Sequence, residues 1–231
     1  MRSTLLLSSI WALLFASMSQ AQPPVTVLEL YTSEGCSSCP PAEAKLAVLA
    51  ERSDVIALAF HVDYWDDLGW QDRFAMHAAV LRQQRYAHTL GRSSIYTPQF
   101  IINGTSDVLG SGALPLTPMA GSTPWQLTLG ADSKQVSIQV QGPGQAAACE
   151  LTLVSYRDRA VSAIGRGENQ GRTLTEVRIV RSIQTLGVWD GKPRSVHIER
   201  SQLPADATGV VTLIQRPGPG AILAAAQLAL R

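Results

Sequence analysis

The sequence predicts a chain in two parts, an α/β domain followed by an all-β, sandwich-like domain. In the first half, short apolar runs alternate with segments of helical periodicity, in the order β-α-β-α-β-β. In the second half, several short apolar or alternating runs are separated by turns rich in Gly and Pro. Such spacing is typical of a small sandwich.

The elements of the first half follow from local patterns. Residues 25–31 and 54–61 are apolar runs of strand length, and each predicts a buried strand. Between these two strands, Leu46, Leu49 and Ala50 lie at helical spacing, which predicts a helix over residues 41–53. The remaining predictions are a helix over residues 70–90, a strand over residues 96–105 that ends in the hairpin signal Asn103-Gly104, and a return strand through Val108 and Leu109.

The second half is predicted to be all β. The predicted strands cover residues 136–140, 149–156, 174–183, 195–198, 210–214 and 221–230. Residues 113–124, dense in Gly, Pro, Ser and Thr, are a linker or a residual helix. This places one domain at residues 22–112 and the β-rich domain at residues 125–231.

The first 21 residues have the features of a secretory signal peptide. Arg2 precedes an apolar run of residues 5–16, and small residues stand at Ser19 and Ala21. The run is too short to span a bilayer, which takes roughly 20 apolar residues. We therefore expect cleavage after Ala21, a secreted or periplasmic protein, and no stable membrane span after cleavage.

The charge balance argues against a nucleic-acid partner. Removal of Arg2 leaves 18 basic residues against 18 acidic residues, with no basic stripe and no acidic tail. We expect the partner to be an exported protein or a small thiol or disulfide.

Two of the three cysteines stand in YTSEGCSSCPPAE, residues 31–43, where the first strand gives way to a helix. Pro40 and Pro41 are tolerable only near a helix start, so they support a helix that begins at the cysteines. Unpaired amide hydrogens and the helix dipole stabilise a thiolate there. The pattern predicts a redox pair in which Cys36 is the attacking thiolate and Cys39 the resolving thiol.

Two other functions stay open for this pair. Two thiolates can bind Cu(I), which would make the chain a periplasmic copper-binding or metal-handling protein. A closed zinc site needs four ligands, and the sequence has no second C-x-x-C and no H-x₃₋₅-H. An inert disulfide would leave a redox-inactive binding module. Outside the Cu(I) alternative we expect no metal and no cofactor.

These residues resemble the thioredoxin superfamily over about residues 25–110. The resemblance rests on the order of elements, the C-x-x-C at a helix start and TPQFIING before a hairpin. It implies a thioredoxin-like fold for the first domain, a cis bond at Thr97-Pro98, and a substrate groove lined by these two residues. Two positions depart from the pattern. Gly35 replaces the usual aromatic residue, and Leu30 replaces a buried Asp, so the neighbouring Glu29 is the candidate for proton handling.

A closer resemblance covers nearly the whole mature chain. ELYTSEGCSSCPPAE, HVDYWDDLGW, YTPQ and GENQGRTLTEVRIVRS are similar to a family of secreted bacterial proteins of unknown function. In that family a thioredoxin-like domain precedes a β-rich C-terminal region. The resemblance implies a fold but no substrate.

The loop after the second strand is a predicted wall of the site. Ligands of open α/β sheets gather beyond the carboxyl ends of parallel strands. Tyr64 and Trp65 of this loop are therefore candidates for peptide contact. His61 is the weaker candidate for a base or metal ligand, since a histidine at a strand end is more often only hydrogen-bonded.

Two further features carry no predicted chemistry. Glu168, Asn169 and Arg172 lie in the Gly-flanked segment GRGENQGRT, which a tight turn alone explains. Cys149, in an apparent strand, is predicted to be a buried, inert thiol.

Overall fold

The computed structural model describes residues 25–119, 125–144 and 147–230. The predicted signal peptide lies outside the described residues, as does part of the predicted linker. The described chain contains eleven strands, two α-helices and two short 3₁₀ helices. In chain order they are β1 (Thr26–Thr32), α1 (Pro40–Ala50), β2 (Val55–His61), a 3₁₀ helix (Asp66–Leu68), α2 (His77–Thr89), β3 (Gln99–Ile102), β4 (Ser106–Leu109), β5 (Gln126–Ala131), β6 (Gln135–Gln141), β7 (Cys149–Ala163), β8 (Thr173–Trp189), β9 (Arg194–Glu199), a 3₁₀ helix (Arg200–Gln202), β10 (Gly209–Gln215) and β11 (Ile222–Ala229).

Eight of these strands form one mixed sheet in the order β11-β10-β7-β8-β2-β1-β3-β4, and β5-β6-β9 form a second sheet. Strands β1 and β2 are parallel, and β2 joins the second half of the chain through a parallel pairing of Ala59 with Ile179. The other pairs are antiparallel. Strands from both halves therefore share one sheet.

The two α-helices cover opposite faces of this sheet. Side chains alternate between the faces of a strand, and β1 is buried along its whole length. Leu28 and Leu30 pack in one cluster with Leu46 of α1, whereas Val27 packs in another with Tyr86 of α2. The α1 face carries the cysteine motif.

The predicted fold class was wrong. We expected an α/β thioredoxin-like domain with a β-α-β-α-β-β core, followed by a separate all-β, sandwich-like domain. The structure is instead mostly β, and β7, β8, β10 and β11 extend the first sheet rather than closing a sandwich of their own. Local periodicity sets the strands but not their partners, and β8 finds its neighbour in β2, more than 100 residues earlier.

Several local predictions fared better. The hairpin of β3 and β4 is confirmed, with Asn103 and Gly104 at positive φ in its turn. Helix α2 begins seven residues later than predicted, at His77. Asp72 lies within the predicted helix, but its carboxylate instead binds the ring of His61 and accepts from the backbone amides of Glu34 and Phe74. Among the described residues, neither α-helix has the length and apolar character needed to cross a membrane.

Candidate functional site

Cys36 and Cys39 form a disulfide at the start of α1, with their Cα atoms 5.4 Å apart. Cys39 is the N-cap residue of the helix, and Pro40 and Pro41 follow in its first turn, where their missing amide hydrogens leave no helix bond unmade. Both cysteines are fully buried, although Ser37 and Ser38 between them are exposed. The sulfur of Cys36 lies 3.4 Å from the hydroxyl of Ser38.

Two of the predicted groove residues, Trp65 and Thr97, are in direct contact, and Trp65 also lies next to Gly35 of the cysteine motif. The Thr97-Pro98 bond is cis, which confirms that prediction. The indole N–H of Trp65 donates to the Thr97 hydroxyl at 2.8 Å. A Cβ added to Gly35 would lie 3.3 Å from the Cβ of Trp65. Trp65 therefore lies against the residue before Cys36 and is hydrogen-bonded to the residue before Pro98.

Pro98 is packed between the hairpin and α1. A Cβ added to Gly110 would lie 2.5 Å from Pro98 Cγ and 2.8 Å from the Cβ of Ala42 in the first turn of α1. Only a glycine fits at residue 110. Tyr64, the other predicted contact, is 37% exposed, and its hydroxyl donates to Gln83 at 3.3 Å. Burial raises the pKa of Tyr64 to about 12, so its hydroxyl stays protonated at neutral pH.

Beneath the disulfide lies a group of buried ionisable side chains that we call the acid cluster. Its members come from both halves of the chain and are at most 5% exposed: Glu34, Glu43, His61, Asp72 and Glu176. The amide of Glu34 and the imidazole of His61 both bind the Asp72 carboxylate, at 2.8 and 2.7 Å. Trp70 donates to Glu34 and Ser162 donates to Glu176.

The acid cluster is under-neutralised. It holds four carboxyl groups against one imidazole, and Arg73 approaches Glu34 only at 3.8 Å and is half exposed. Three buried atoms of the cluster lack a hydrogen-bond partner among the described residues: Glu34 Oε1, His61 Nε2 and Glu176 Oε1. The Glu176 carboxyl can share a proton with Glu34, and this hydrogen bond helps to raise the Glu176 pKa. Buried polar atoms are usually paired. The unpaired atoms of this cluster are therefore exceptions to the usual rule.

The pKa values follow from this crowding. Burial, opposed in part by His61, raises the pKa of Glu176 to about 8 with the help of the adjacent Glu34 carboxyl. Burial also raises the pKa of Glu43, although His61 and the Thr32 hydroxyl act against it. Burial alone would lower the pKa of His61, but the Asp72 carboxylate outweighs it and raises that pKa to about 9. At neutral pH the Glu176 carboxyl therefore holds a proton that an ordinary glutamate would have lost.

Glu29, the predicted proton-handling residue, lies on the opposite face of the sheet. It makes a bidentate ion pair with Arg82 at 2.7 Å for each bond. The hydroxyls of Tyr31 and Tyr86 also donate to it. A carboxylate neutralised by a guanidinium on the α2 face has no contact with the cysteine motif, so the geometry does not support a proton-handling role for Glu29.

The GENQGRT segment between β7 and β8 reaches the cysteine motif. Asn169 is fully buried and its amide donates at 2.9 Å to the carbonyls of both Glu34 and Cys36. Arg172 donates to the Asn169 side-chain oxygen. The Glu168 carboxylate accepts from the amide N–H of Ser37 at 3.1 Å. The sequence predicted only a tight turn for this segment. In the structure, the segment also contacts the cysteine motif, from which it is more than 130 residues away in sequence.

Sequence reasoning missed most of the acid cluster. One local signal was present, because Glu43 lies one helical turn after Cys39 and positions i and i+4 of a helix are neighbours. Glu176, in the alternating strand β8, gave no comparable signal. Glu34, the carboxyl that interacts with it, is 142 residues away in sequence, so only the three-dimensional fold brings the two together.

Other candidate features lie away from this site. Cys149 is buried and free, as predicted, and its thiol donates to the Ala147 carbonyl. Cavities of about 360 and 480 Å³ are lined by residues such as Arg52 and Arg178, or Leu81 and His88, and not by the cysteines. Within residues 25–119, 125–144 and 147–230, no group of three or more His, Cys, Asp or Glu side chains has the geometry to hold a metal ion.

The fold and site define a mostly β protein with a disulfide at a helix start, enclosed by residues from both halves of the chain. A family described as a protein of unknown function, DUF1223, matches residues 27–215, and the chain belongs to this family. No curated protein matches the chain significantly.

Two solved structures are similar to this chain. A protein from Agrobacterium tumefaciens is 28% identical, with a TM-score of 0.76 over 91% of this chain and 97% of that one. HBP35 of Porphyromonas gingivalis is 16% identical, with a TM-score of 0.60 over 90% of this chain and 76% of that one. The second likeness is one of fold alone.

Proposed function

We propose that this protein is an exported thiol–disulfide oxidoreductase that uses Cys36 and Cys39 as its redox pair. The observation that carries the proposal is the disulfide at the first turn of α1, close to the buried Glu43, whose pKa burial raises. A helix start stabilises a thiolate and so favours exchange. Structural disulfides more often close longer loops, because longer loops give the larger stabilisation.

In one direction, the exchange oxidises a substrate dithiol. A substrate thiolate attacks the sulfur of Cys36, the Cys36–Cys39 bond breaks, and Cys39 leaves as a thiolate. The second substrate thiolate then attacks the substrate sulfur of the mixed disulfide and releases Cys36 as a thiolate. Two electrons pass from the substrate to the cysteine pair. The reverse sequence reduces a substrate disulfide.

Glu43 is the residue that we propose to supply the proton to Cys39. It follows Cys39 by one helical turn, is almost fully buried, and is held by a hydrogen bond of 2.6 Å from the Thr32 hydroxyl. A buried thiolate is costly, so the leaving sulfur needs a proton from inside the protein. The Glu43 carboxylate is left ionised by this transfer and takes a proton back from Cys39 when the disulfide forms again.

Substrate would bind along the groove of Thr97, Pro98 and Trp65, with Tyr64 at its exposed edge. A proline beside a cysteine pair also lines the substrate groove in the thioredoxin superfamily. That likeness supports the proposed site, and it does not extend to the fold. The partner is an exported protein or a small thiol or disulfide. Signal cleavage after Ala21 and a periplasmic or secreted location belong to the same proposal.

Trapping of mixed disulfides tests this function. Cys39→Ser should accumulate mixed disulfides through Cys36, because the resolving thiol is gone, whereas Cys36→Ser should trap few. Cys149→Ala is the matched control and should behave as the unmodified chain. Reduced Cys36 should also alkylate first, with a pKa below the ordinary value of about 8.5.

Two results would defeat the proposal. A copper site predicts that both single variants lose Cu(I) equally and that neither traps a partner. An inert disulfide predicts equal, unperturbed alkylation of both thiols and a loss of stability of roughly 2 to 4 kcal/mol when the bond is removed.

A further inference from the structure

The segment between β7 and β8 brings a carboxylate to the redox motif from the second half of the chain. Glu168 is exposed, yet its carboxylate accepts a hydrogen bond from the amide of Ser37, the residue that follows Cys36. Hydrogen bonds from the Ser37 side chain and from the Ser37 amide lower the pKa of Glu168, so the group is ionised at neutral pH. A fixed negative charge therefore stands one residue from the sulfur that has to become a thiolate.

The neighbouring Asn169 keeps this charge in place. Its amide is fully buried and bridges the carbonyls of Glu34 and Cys36, on either side of Gly35. Arg172 binds the other end of the Asn169 side chain. Glu168 follows Gly167, which has a φ of 73°, in the left-handed region that glycine adopts at little cost. The contact is thus built into the turn rather than made by a freely moving side chain.

From this geometry we propose that Glu168 sets the redox poise of the Cys36–Cys39 pair, with Asn169 as the positioning residue that holds it against the motif. A carboxylate disfavours a second negative charge nearby, so it destabilises the Cys36 thiolate. The disulfide contains no such charge and is not destabilised. Glu168 therefore shifts the equilibrium toward the disulfide and makes the reduced pair a stronger reductant. This inference rests on the proposed function, but its main readout does not require a substrate.

Glu168→Gln is the decisive variant, because glutamine keeps an oxygen that accepts from the Ser37 amide and loses only the charge. The pKa of Cys36 is measured in chemically reduced protein by alkylation rate against pH. The equilibrium constant with a glutathione buffer is measured alongside it. Glu51→Gln is the matched control, since it removes one exposed carboxylate at the far end of α1.

We expect Glu168→Gln to lower the pKa of Cys36 and to shift the equilibrium toward the dithiol by about threefold to tenfold, which for a two-electron couple is about 15 to 30 mV. Glu51→Gln should leave both quantities unchanged. If the wild-type protein exchanges no disulfide with any substrate but Glu168→Gln still lowers the Cys36 pKa, the proposed function fails and this assignment stands.

Two results would overturn the assignment. In the first, Glu168→Gln leaves the Cys36 pKa and the equilibrium unchanged, or moves them no more than Glu51→Gln does. In the second, only Glu168→Ala, which loses the hydrogen-bond acceptor as well, has an effect. The hydrogen bond rather than the charge would then be what matters.

Discussion

Two buried polar groups of this protein lie on opposite faces of the same sheet and differ in how their charges are matched. On the α2 face, Glu29 and Arg82 form a bidentate ion pair that is closed by hydrogen bonds among neighbouring side chains; we call this the Arg82 network, and its members are Glu29, Tyr31, Arg82, Tyr86 and Gln215. On the α1 face, the acid cluster has four carboxyl groups, one imidazole and three unpaired atoms.

The difference shows which buried charges are available for chemistry. Glu29 is paired with a guanidinium, and burial raises the pKa of both tyrosines beside it, so neither tyrosine loses its proton near neutral pH. In the acid cluster, Glu176 has no guanidinium partner, and its pKa of about 8 lies in the physiological range. The sheet thus separates a structural polar group from the one that serves the disulfide.

The largest effect of a single substitution is expected from breaking the Arg82 network. Arg82→Met leaves the Glu29 carboxylate buried without a cation, so we expect the free energy of unfolding to fall by about 3 to 5 kcal/mol. Urea unfolding measures this. The double variant Glu29→Gln/Arg82→Met should recover most of the loss, since no charge is then left buried. A loss below about 1 kcal/mol in the single variant would contradict this account of the network.

A kinetic effect is expected from the acid cluster instead. Glu43→Gln removes the proposed proton donor to Cys39, so disulfide exchange should slow by about tenfold to hundredfold, while the fold is retained. The double variant in the Arg82 network is the control, and its folded fraction should exchange at nearly the wild-type rate. The contrast fails if the two variants slow exchange equally, because Glu43 would then be no closer to the chemistry than Glu29.

How far the sequence predicted these two groups depends on the range of the contacts. The helix start at the cysteines and the hairpin after Thr97-Pro98 are set by turn residues and local periodicity, and both were predicted from the sequence. Glu29 is a candidate for proton handling in the sequence only because it neighbours Leu30, which stands where the superfamily pattern has a buried Asp. Alternation along a strand, however, places adjacent residues on opposite faces.

The fold class, and the contacts that the second half of the chain makes with the site, could not be predicted from the sequence for a different reason. Apolar alternation predicts that a segment such as β8 is a strand but not which strand it pairs with. The joining of β2 to β8 brings Glu176 to Glu34 and the GENQGRT segment to the cysteines. The same long-range pairing therefore made the predicted two-domain fold wrong and completed the site.

A more gradual effect is expected in the pH dependence of stability. Glu176 has a pKa of about 8 in the folded chain, against 4.5 ordinarily, and that of His61 is about 9 against 6.5. Between the lower and upper value of each group the folded state binds more protons than the unfolded state, so stability falls as pH rises. From pH 6 to 9 we expect the free energy of unfolding to fall by about 3 to 6 kcal/mol.

Glu176→Gln separates the contribution of this carboxyl. Glutamine cannot ionise, so the variant should lose much of the decline up to pH 8 and keep the part due to His61. Unfolding in urea at a series of pH values measures both curves, with the Glu51→Gln variant as the control. Stability that rises across this range in the wild-type chain would contradict the pKa values of the acid cluster.

The most direct test of the central claim is the reduction potential of the Cys36–Cys39 disulfide, measured by equilibration with dithiol and glutathione buffers. Structural disulfides have potentials below about −300 mV and resist these buffers, whereas catalytic pairs lie between about −270 and −120 mV. With a helix start to stabilise the thiolate and Glu43 to protonate the leaving sulfur, we predict reversible reduction within the catalytic range. A disulfide that stays oxidised below −300 mV would contradict the oxidoreductase function.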